Sequence, residues 1–191
     1  MAGRLPLTSD ATGDIVEPPF HPSSVVLEGE HVRLEPLSRS HAPDLAEAGR
    51  DPSIWTWMPW RPLASPGDAL AYVDAALAAA RDGGQVPFAT ISRASGRVVG
   101  STRYLDVRRE HRGLEIGWTW IAPEHQRTAV NTEAKRLMLA HAFEEHGALR
   151  VQLKTDALNL RSQRAIERLG AVREGTLRAT WSASTARCAT P

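Results

Sequence analysis

Residues 115 to 146 constrain the fold more than any other stretch of the chain. Glu115-Ile116-Gly117-Trp118-Thr119-Trp120-Ile121 reads as a strand. A period of two puts Ile116, Trp118 and Trp120 on one side and Glu115, Gly117, Thr119 and Ile121 on the other. Pro123 stops the run. From Val130 the apolar residues recur as Val130, Ala134, Leu137, Met138 and Ala142, the stripe of an amphipathic helix that ends at Gly147. A strand feeding a helix through a short turn leaves the first helical N–H groups unpaired at the positive end of the helix, a place for phosphate. The turn is small or polar from Gln126 to Thr132, so a ligand can approach its backbone. It is neither a Walker loop nor a Gly-x-Gly-x-x-Gly turn, and an ordinary strand, turn and helix of an α/β domain is the competing reading.

The flanking sequence supplies the rest of a mixed α/β (α+β) domain. Residues 1–24 have no period and read as a flexible arm. Val25 to Leu37, broken at Glu28-Gly29-Glu30-His31, fits a hairpin. Ser40 is placed to cap a first helix through Pro43, Leu45 and Ala46. Ser65-Pro66-Gly67-Asp68 opens a second helix with Leu70, Val73, Leu77 and Ala80 inward. Strands centred on Phe88–Ile91 and Val98–Leu105 follow, giving an antiparallel meander up to the central strand. Leu149–Lys154 alternates as a half-buried strand. Asn159 then caps a helix with Leu158, Ser162, Ala165, Ile166 and Leu169 on one face, and Val172–Thr180 reads as a further strand. Residues 182–191 form an irregular tail, so the domain spans 25–181.

Composition excludes several classes of function. A chain of 191 residues with 42% hydrophobic content suits one domain. Lys and Arg total 23 against 22 for Asp and Glu, which gives no broad electrostatic case for nucleic acid or an anionic membrane. No apolar run approaches the ~20 residues a membrane span needs. The single cysteine, Cys188, has no partner for a disulfide, in keeping with a cytoplasmic location. His141 and His146 stand beside Glu144 and Glu145. On an α-helix, however, five residues leave the two rings about 140° apart, so no metal site is expected there.

The run QRTAVNTEAK, preceded by EIGWTWIAPEH, resembles the acyl-CoA signature of the GNAT superfamily of N-acetyltransferases, written Gln/Arg-x-x-Gly-x-Gly/Ala. The likeness is to its RimJ/RimL-type branch, whose namesakes acetylate the N-terminal amine of ribosomal proteins, and it extends from about His31 to Thr180. It implies a mostly antiparallel central sheet with helices on both faces and a splayed central strand pair, and acetyl-CoA as co-substrate. In the family, backbone amides of the turn (here Gln126, Arg127, Thr128, Ala129, Val130, Asn131 and Thr132) hold the CoA pyrophosphate. The backbone of Trp120, Ile121 and Ala122 matches the positions that receive the pantetheine arm. Asn159 and Ser162 match an Asn that contacts CoA and a Ser proposed to protonate the leaving thiolate. The Tyr used elsewhere in the superfamily is Ile166 here. The family's first glycine is Ala129, where a Cβ is expected to crowd the pyrophosphate or strain the backbone. The family's final strand has no counterpart in the tail, which leaves an open sheet edge for the tail or a homodimer partner to cover.

Acyl transfer to an amine needs a neutral amine, a stabilised oxyanion and a proton for the thiolate. Glu115 is the candidate base, acting through water; a structural ion pair is its other reading. Trp55, Trp57, Met58 and Trp60 form either a core plug or, by resemblance, the wall of an acceptor pocket. The acceptor is a peptide or small-molecule amine. A binding or regulatory module that kept the fold and lost turnover is the second class, motivated by Ala129 and the missing strand.

Overall fold

The computed structural model describes residues 19–178, together with the backbone of two short paired strands, β1 (Thr8–Ser9) and β2 (Ile15–Val16). The main sheet has six strands in chain order: β3 (Leu27–Glu28), β4 (Val32–Pro36), β5 (Val86–Ser92), β6 (Val98–Arg108), β7 (Gly113–Ile121) and β8 (Arg150–Gln152). Every neighbour is antiparallel except β7 and β8. The parallel pair is the one joined through a helix, as parallel pairing requires.

One face of the sheet carries α1 (Ala42–Ala48) and α2 (Pro66–Ala80), and the other carries α3 (Ala129–Ala140). The α1–α2 side buries Leu45, Trp55, Leu63, Tyr72, Val73 and Trp120; the α3 side buries Leu34, Phe88, Tyr104, Leu114, Ile116 and Met138. α4 (Leu160–Glu167) follows β8 and buries no residue.

Several expectations shift. Phe20 is 3% exposed in the α3-side core, with the Arg112 guanidinium over its ring, so packing begins before Val25. Ser38 precedes a 3-10 turn (Arg39–His41) that leads into α1, and Ser40 is not the cap. The fully buried residues of α2 are Ala69, Tyr72, Val73 and Ala76; of the expected face Val73 is among them and Leu70 and Leu77 pack half-buried against the same core, while the Tyr72 hydroxyl meets Arg103 and Trp120 on the sheet. Leu158 lies ahead of α4 and is 75% exposed. Residues 171–178 form no strand. Glu174 pairs with Arg150, so the segment is tied to β8 by an ion pair without ladder hydrogen bonds. The rest of that expected strand (179–180), the 182–191 tail and most of the 1–24 arm lie outside the described residues.

α3 continues into a π-helical turn, His141–Glu145, in which the His146 N–H donates to the His141 C=O at 3.2 Å. The wider i to i+5 turn brings His146 back over His141, with Nε2 atoms 3.1 Å apart and ring centroids 4.5 Å apart. The 140° separation expected of an α-helix is therefore wrong here. The described residues contain no group of three or more His, Cys, Asp or Glu suited to a metal ion.

Candidate active site

The β7–β8 ladder runs only from Gly113/Arg150 to Glu115/Gln152, whereas β7 continues to Ile121. From Ile116 to Ile121 one edge of the central strand has no strand partner among the described residues. On the other edge the Ala122 N–H donates to the Val99 C=O at 2.8 Å. The alternation of an antiparallel ladder then turns Trp120 toward β6 as well and Ile121 toward the open edge. Gln126 caps that end, its side-chain amide donating to the Ile121 C=O at 2.9 Å.

The pairing of β6 with β7 slips in the middle. Register passes from Ser101/Trp120 to Arg103/Gly117, so Trp118 and Thr119 together oppose Thr102, and Trp118 has φ 50°. This is a β-bulge, which leaves one backbone amide without a ladder partner. It also reverses the side-chain phase: Ile116 packs on the α3 side, while Trp118 and Trp120 pack on the α1–α2 side. The expected grouping of Ile116, Trp118 and Trp120 on one face fails for that reason. Gly117, Trp118 and Thr119 are half-buried, although the strand is buried at both ends.

Both helix starts lie at the open edge. At α3, Thr128 is the N-cap, accepting the Val130 N–H at 3.3 Å and donating its hydroxyl to the His125 C=O at 2.7 Å. Ala129 opens the helix, exposed, and does not have a positive φ. The left-handed residue is Arg127, at φ 62°, so the backbone strain expected at Ala129 falls two residues earlier. Asn131, in the first turn with Val130 and Thr132, has a buried Oδ1 with no partner among the described residues. At α4, Asn159 Oδ1 accepts the Ser162 N–H at 3.1 Å, and the Ser162 hydroxyl has no protein partner among the described residues. Arg161 bridges the two starts, its Nη1 donating to Gln126 Oε1 at 2.5 Å. Neither Arg127 nor Arg161 pairs with a carboxylate among the described residues. Free helical N–H groups flanked by unpaired cations suit a phosphate ester.

Glu115 is 7% exposed. Its Oε2 meets Lys154 Nζ at 2.7 Å and accepts from Gln152 Nε2 at 3.3 Å, while Oε1 lies beside Gly117. The ion pair allowed for from the sequence is thus formed, with one oxygen left over. Of the aromatic run, Trp55 is core: it is 5% exposed and its indole N–H donates to the Gly49 C=O at 2.8 Å. Met58 and Trp60 pack on that core half-exposed, and Trp57 is likewise half-buried. Trp60 stands edge-on to Trp118, with centroids 6.4 Å apart.

A family model for the acetyltransferase (GNAT) domain matches residues 31–172. The chain belongs to this family. GNAT proteins use acetyl-CoA as co-substrate, and the chain is an acetyl-CoA-dependent acyltransferase. Its fold is similar to that of a T. thermophilus protein assigned as an acetyltransferase, at 38% identity and TM-score 0.73 over 82% of this chain and 80% of that one. A GCN5-related N-acetyltransferase from Brucella melitensis is similar at 29% identity and TM-score 0.74, over 80% and 70% of the two chains. RimL, a ribosomal L7/L12 alpha-N-protein acetyltransferase, shares the fold at TM-score 0.69 over 91% and 90%, with 15% identity. No curated protein matches the chain in sequence. Among the described residues no helix is long and apolar enough to cross a membrane.

Four residues near this GNAT site carry no signal when read one by one. Arg161 stands inside the Asn159–Ser162 spacing but looks like any exposed helical arginine. Arg103, Tyr72 and Lys135 look like ordinary strand or helix positions, and only the sheet brings them to the bulge.

Proposed function

We propose that the chain transfers the acetyl group of acetyl-CoA to a primary amine by direct attack, without a covalent enzyme intermediate. The observation that carries this reading is the unpaired edge of β7 from Ile116 to Ile121, with the starts of α3 and α4 at its end. The first turn of α3, Gln126 to Thr132, would hold the pyrophosphate, with Arg127 and Arg161 adding charge. The open side of Ile121 would receive the pantetheine arm, and Asn159 would fix the start of α4 beside it. Bound acetyl-CoA supplies an activated acyl group on a thiolate leaving group.

The protein's own contributions are a donor, a base and an acid. An amide freed at the Trp118–Thr119 bulge would supply the donor for the developing oxyanion. Glu115 Oε1, acting through water, takes the proton from the attacking amine. An α-amine, with pKa about 7.7–8.0, is partly neutral already and asks less of such a base than a lysine near 10.4. The Ser162 hydroxyl, without a protein partner among the described residues, returns a proton to the thiolate. The sequence likeness of QRTAVNTEAK and the shared fold of RimL favour the RimJ/RimL branch, and within it a peptide N-terminus or a small-molecule amine as acceptor.

The test follows free thiol during incubation with acetyl-CoA and pooled amines or N-terminal peptides. Thiol release dependent on amine is expected, with Ser162→Ala lowering kcat by ~10²-fold while CoA binding persists. CoA binding without thiol release for any acceptor overturns the enzymatic reading of this site in favour of a binding module.

A further inference from the structure

Arg103 lies on the α1–α2 face of the sheet and is 3% exposed. Its Nη1 donates to Gln85 Oε1 at 2.9 Å and its Nη2 to the Tyr72 hydroxyl at 3.2 Å, both neutral partners. Its Nε has no partner, and among the described residues no carboxylate lies within ion-pair distance of the guanidinium. The ring of Trp118 covers it at 4.5 Å and that of Tyr72 at 5.7 Å. A buried cation without a counter-charge is costly, and stacking on aromatic faces offsets only part of the cost.

Two more donors in the same cluster are unspent. Trp60 Nε1 is buried and has no partner among the described residues. The Tyr72 hydroxyl accepts from Arg103 and, at 3.0 Å, from Trp120 Nε1, and its own proton meets no acceptor among the described residues. Trp60 and Tyr72 are in edge contact, with centroids 5.6 Å apart. Buried polar groups are nearly always satisfied, so a group of donors that includes a full positive charge, and of which Arg103 Nε and Trp60 Nε1 meet no acceptor among the described residues, calls for a missing partner. A carboxylate is acceptor-only, can receive two parallel bonds from a guanidinium, and would satisfy all three residues.

The route to this cluster is the bulge. Arg103 pairs across the sheet with Gly117, where β7 becomes half-exposed. A Cβ at Gly117 would lie 3.0 Å from both Glu115 Oε1 and Leu105 Cδ2, so glycine there lets the Glu115 carboxylate lie over β7 on the sheet face that also carries Arg103. That face thus holds a cation at Arg103 and, two residues along β7 from Gly117, the base assigned above.

We infer that the acetyl acceptor is a small amine that also carries a carboxylate, an amino-acid-like molecule whose anion docks on Arg103, Tyr72 and Trp60 while its amine faces Glu115. This rests on the acetyl-transfer reading of the preceding subsection. It selects against polyamines and aminoglycoside-like amines, which have no carboxylate.

The experiment compares amino acids with their own carboxamides as acceptors, alongside peptides with free N-termini that do or do not carry an acidic side chain. Thiol release from acetyl-CoA is the readout for the wild type, Arg103→Met and Arg103→Lys. Wild type is expected to favour each acid over its carboxamide by ~10–100-fold in kcat/KM, the range of a charge-assisted hydrogen bond. That ratio should fall toward one in Arg103→Met and to an intermediate value in Arg103→Lys, which keeps the charge and loses the fork. Should Arg103→Met fail to fold, as judged by thermal melting, the wild-type and Arg103→Lys ratios decide. Acetylation of acids and carboxamides at equal efficiency, or a ratio insensitive to Arg103, overturns this inference and leaves acetyl transfer standing. A preference for acidic peptides over free amino acids overturns the small-molecule assignment. No thiol release from any amine, with acetyl-CoA bound, removes the underlying reading and this one with it.

Discussion

Lys135 offers a test of the protein interior that does not depend on the acceptor. It sits on α3, 5% exposed, with its ammonium directed into the sheet. Nζ donates to Thr102 Oγ1 at 2.9 Å and to Thr119 Oγ1 at 2.5 Å, and the two hydroxyls are themselves 2.8 Å apart. No carboxylate pairs with it among the described residues. Burial lowers its pKa from 10.5 to about 7. The unfolded chain therefore keeps this proton up to about pH 10.5, whereas the folded chain releases it above about pH 7. Between those limits the unfolded state binds more protons, so stability rises with pH, by at most about 1.4 kcal/mol per pH unit. At or below neutral pH the charged form costs the fold up to about 5 kcal/mol on the same conversion.

Lys135→Met keeps the length and the apolar stem and removes the titration. It gives up two hydrogen bonds to hydroxyls, a pH-independent loss of about 0.5–1.5 kcal/mol each. The measurement is urea unfolding of both proteins from pH 7.5 to 9.5. The wild type should gain on the variant across that range by ~2–3 kcal/mol. At pH 7 and below the variant should be at least as stable. Two curves that run parallel over the whole range would refute the reasoning, because they would show that the folded state holds the ammonium charged at no cost.

Two further perturbations follow from the same kind of linkage. Burial raises the pKa of Glu133, but backbone N–H bonds from His31, Glu30 and Val32 at 2.7–2.9 Å outweigh it and leave the pKa below 4.5. Its stabilisation is complete above pH 4.5 and is lost as pH falls through the folded value, so Glu133→Gln should cost ~1–3 kcal/mol at pH 7 and progressively less in acid, read from thermal melts; a gap that does not narrow in acid refutes it. Burial holds His141 and His146 below 6.5, and each is further affected by neighbouring charges, with His146 opposing protonation of His141. Below pH 6.5 the unfolded chain takes up protons that the folded pair resists, so the wild-type Tm should fall more than that of His146→Gln between pH 7.5 and 5.5, and equal falls count against it.

Local chemistry is legible where one residue decides the outcome. Ser65 caps α2 with Pro66 inside the first turn, and Asn159 caps α4 through the Ser162 N–H. The strand, turn and helix from Glu115 onward is legible because its period changes at Pro123. What escapes the sequence depends on one residue too many in a regular element. The β-bulge adds Trp118 or Thr119 opposite Thr102, and the π turn adds one residue at His141–Glu145. Neither insertion has a composition of its own, since either period continues to look plausible through it. Each then misassigns every side chain beyond it, which is why periodicity groups Trp118 with Ile116 and sets His146 away from His141. The strand expected after Val172 fails over 171–178 for a different reason: alternation is necessary for a strand, but a ladder partner is also needed, and among the described residues the Arg150–Glu174 ion pair is what ties this segment to the sheet.

The bulge joins the two buried cations of the sheet centre. Thr102 is the residue that faces both Trp118 and Thr119, and its hydroxyl, with that of Thr119, binds Lys135 on the α3 side. Its neighbour Arg103 points to the opposite face and stacks on Trp118. Two positive groups therefore press on the same irregular turn of β7 from above and below, at the point where the proposed site must present a donor to an oxyanion. A field of that sign favours negative charge on the acyl carbonyl and on an acceptor carboxylate alike. The order of events at neutral pH then matters: with its pKa at about 7, Lys135 is only partly charged, whereas Arg103 is always charged. Arg103 supplies the constant part of the field, and Lys135 supplies a part that grows as pH falls below 7, the same change that protonates the attacking amine. The two effects oppose each other, so the amine's own titration sets the acid limb of the rate, and Lys135→Met should change the height of that limb more than its midpoint.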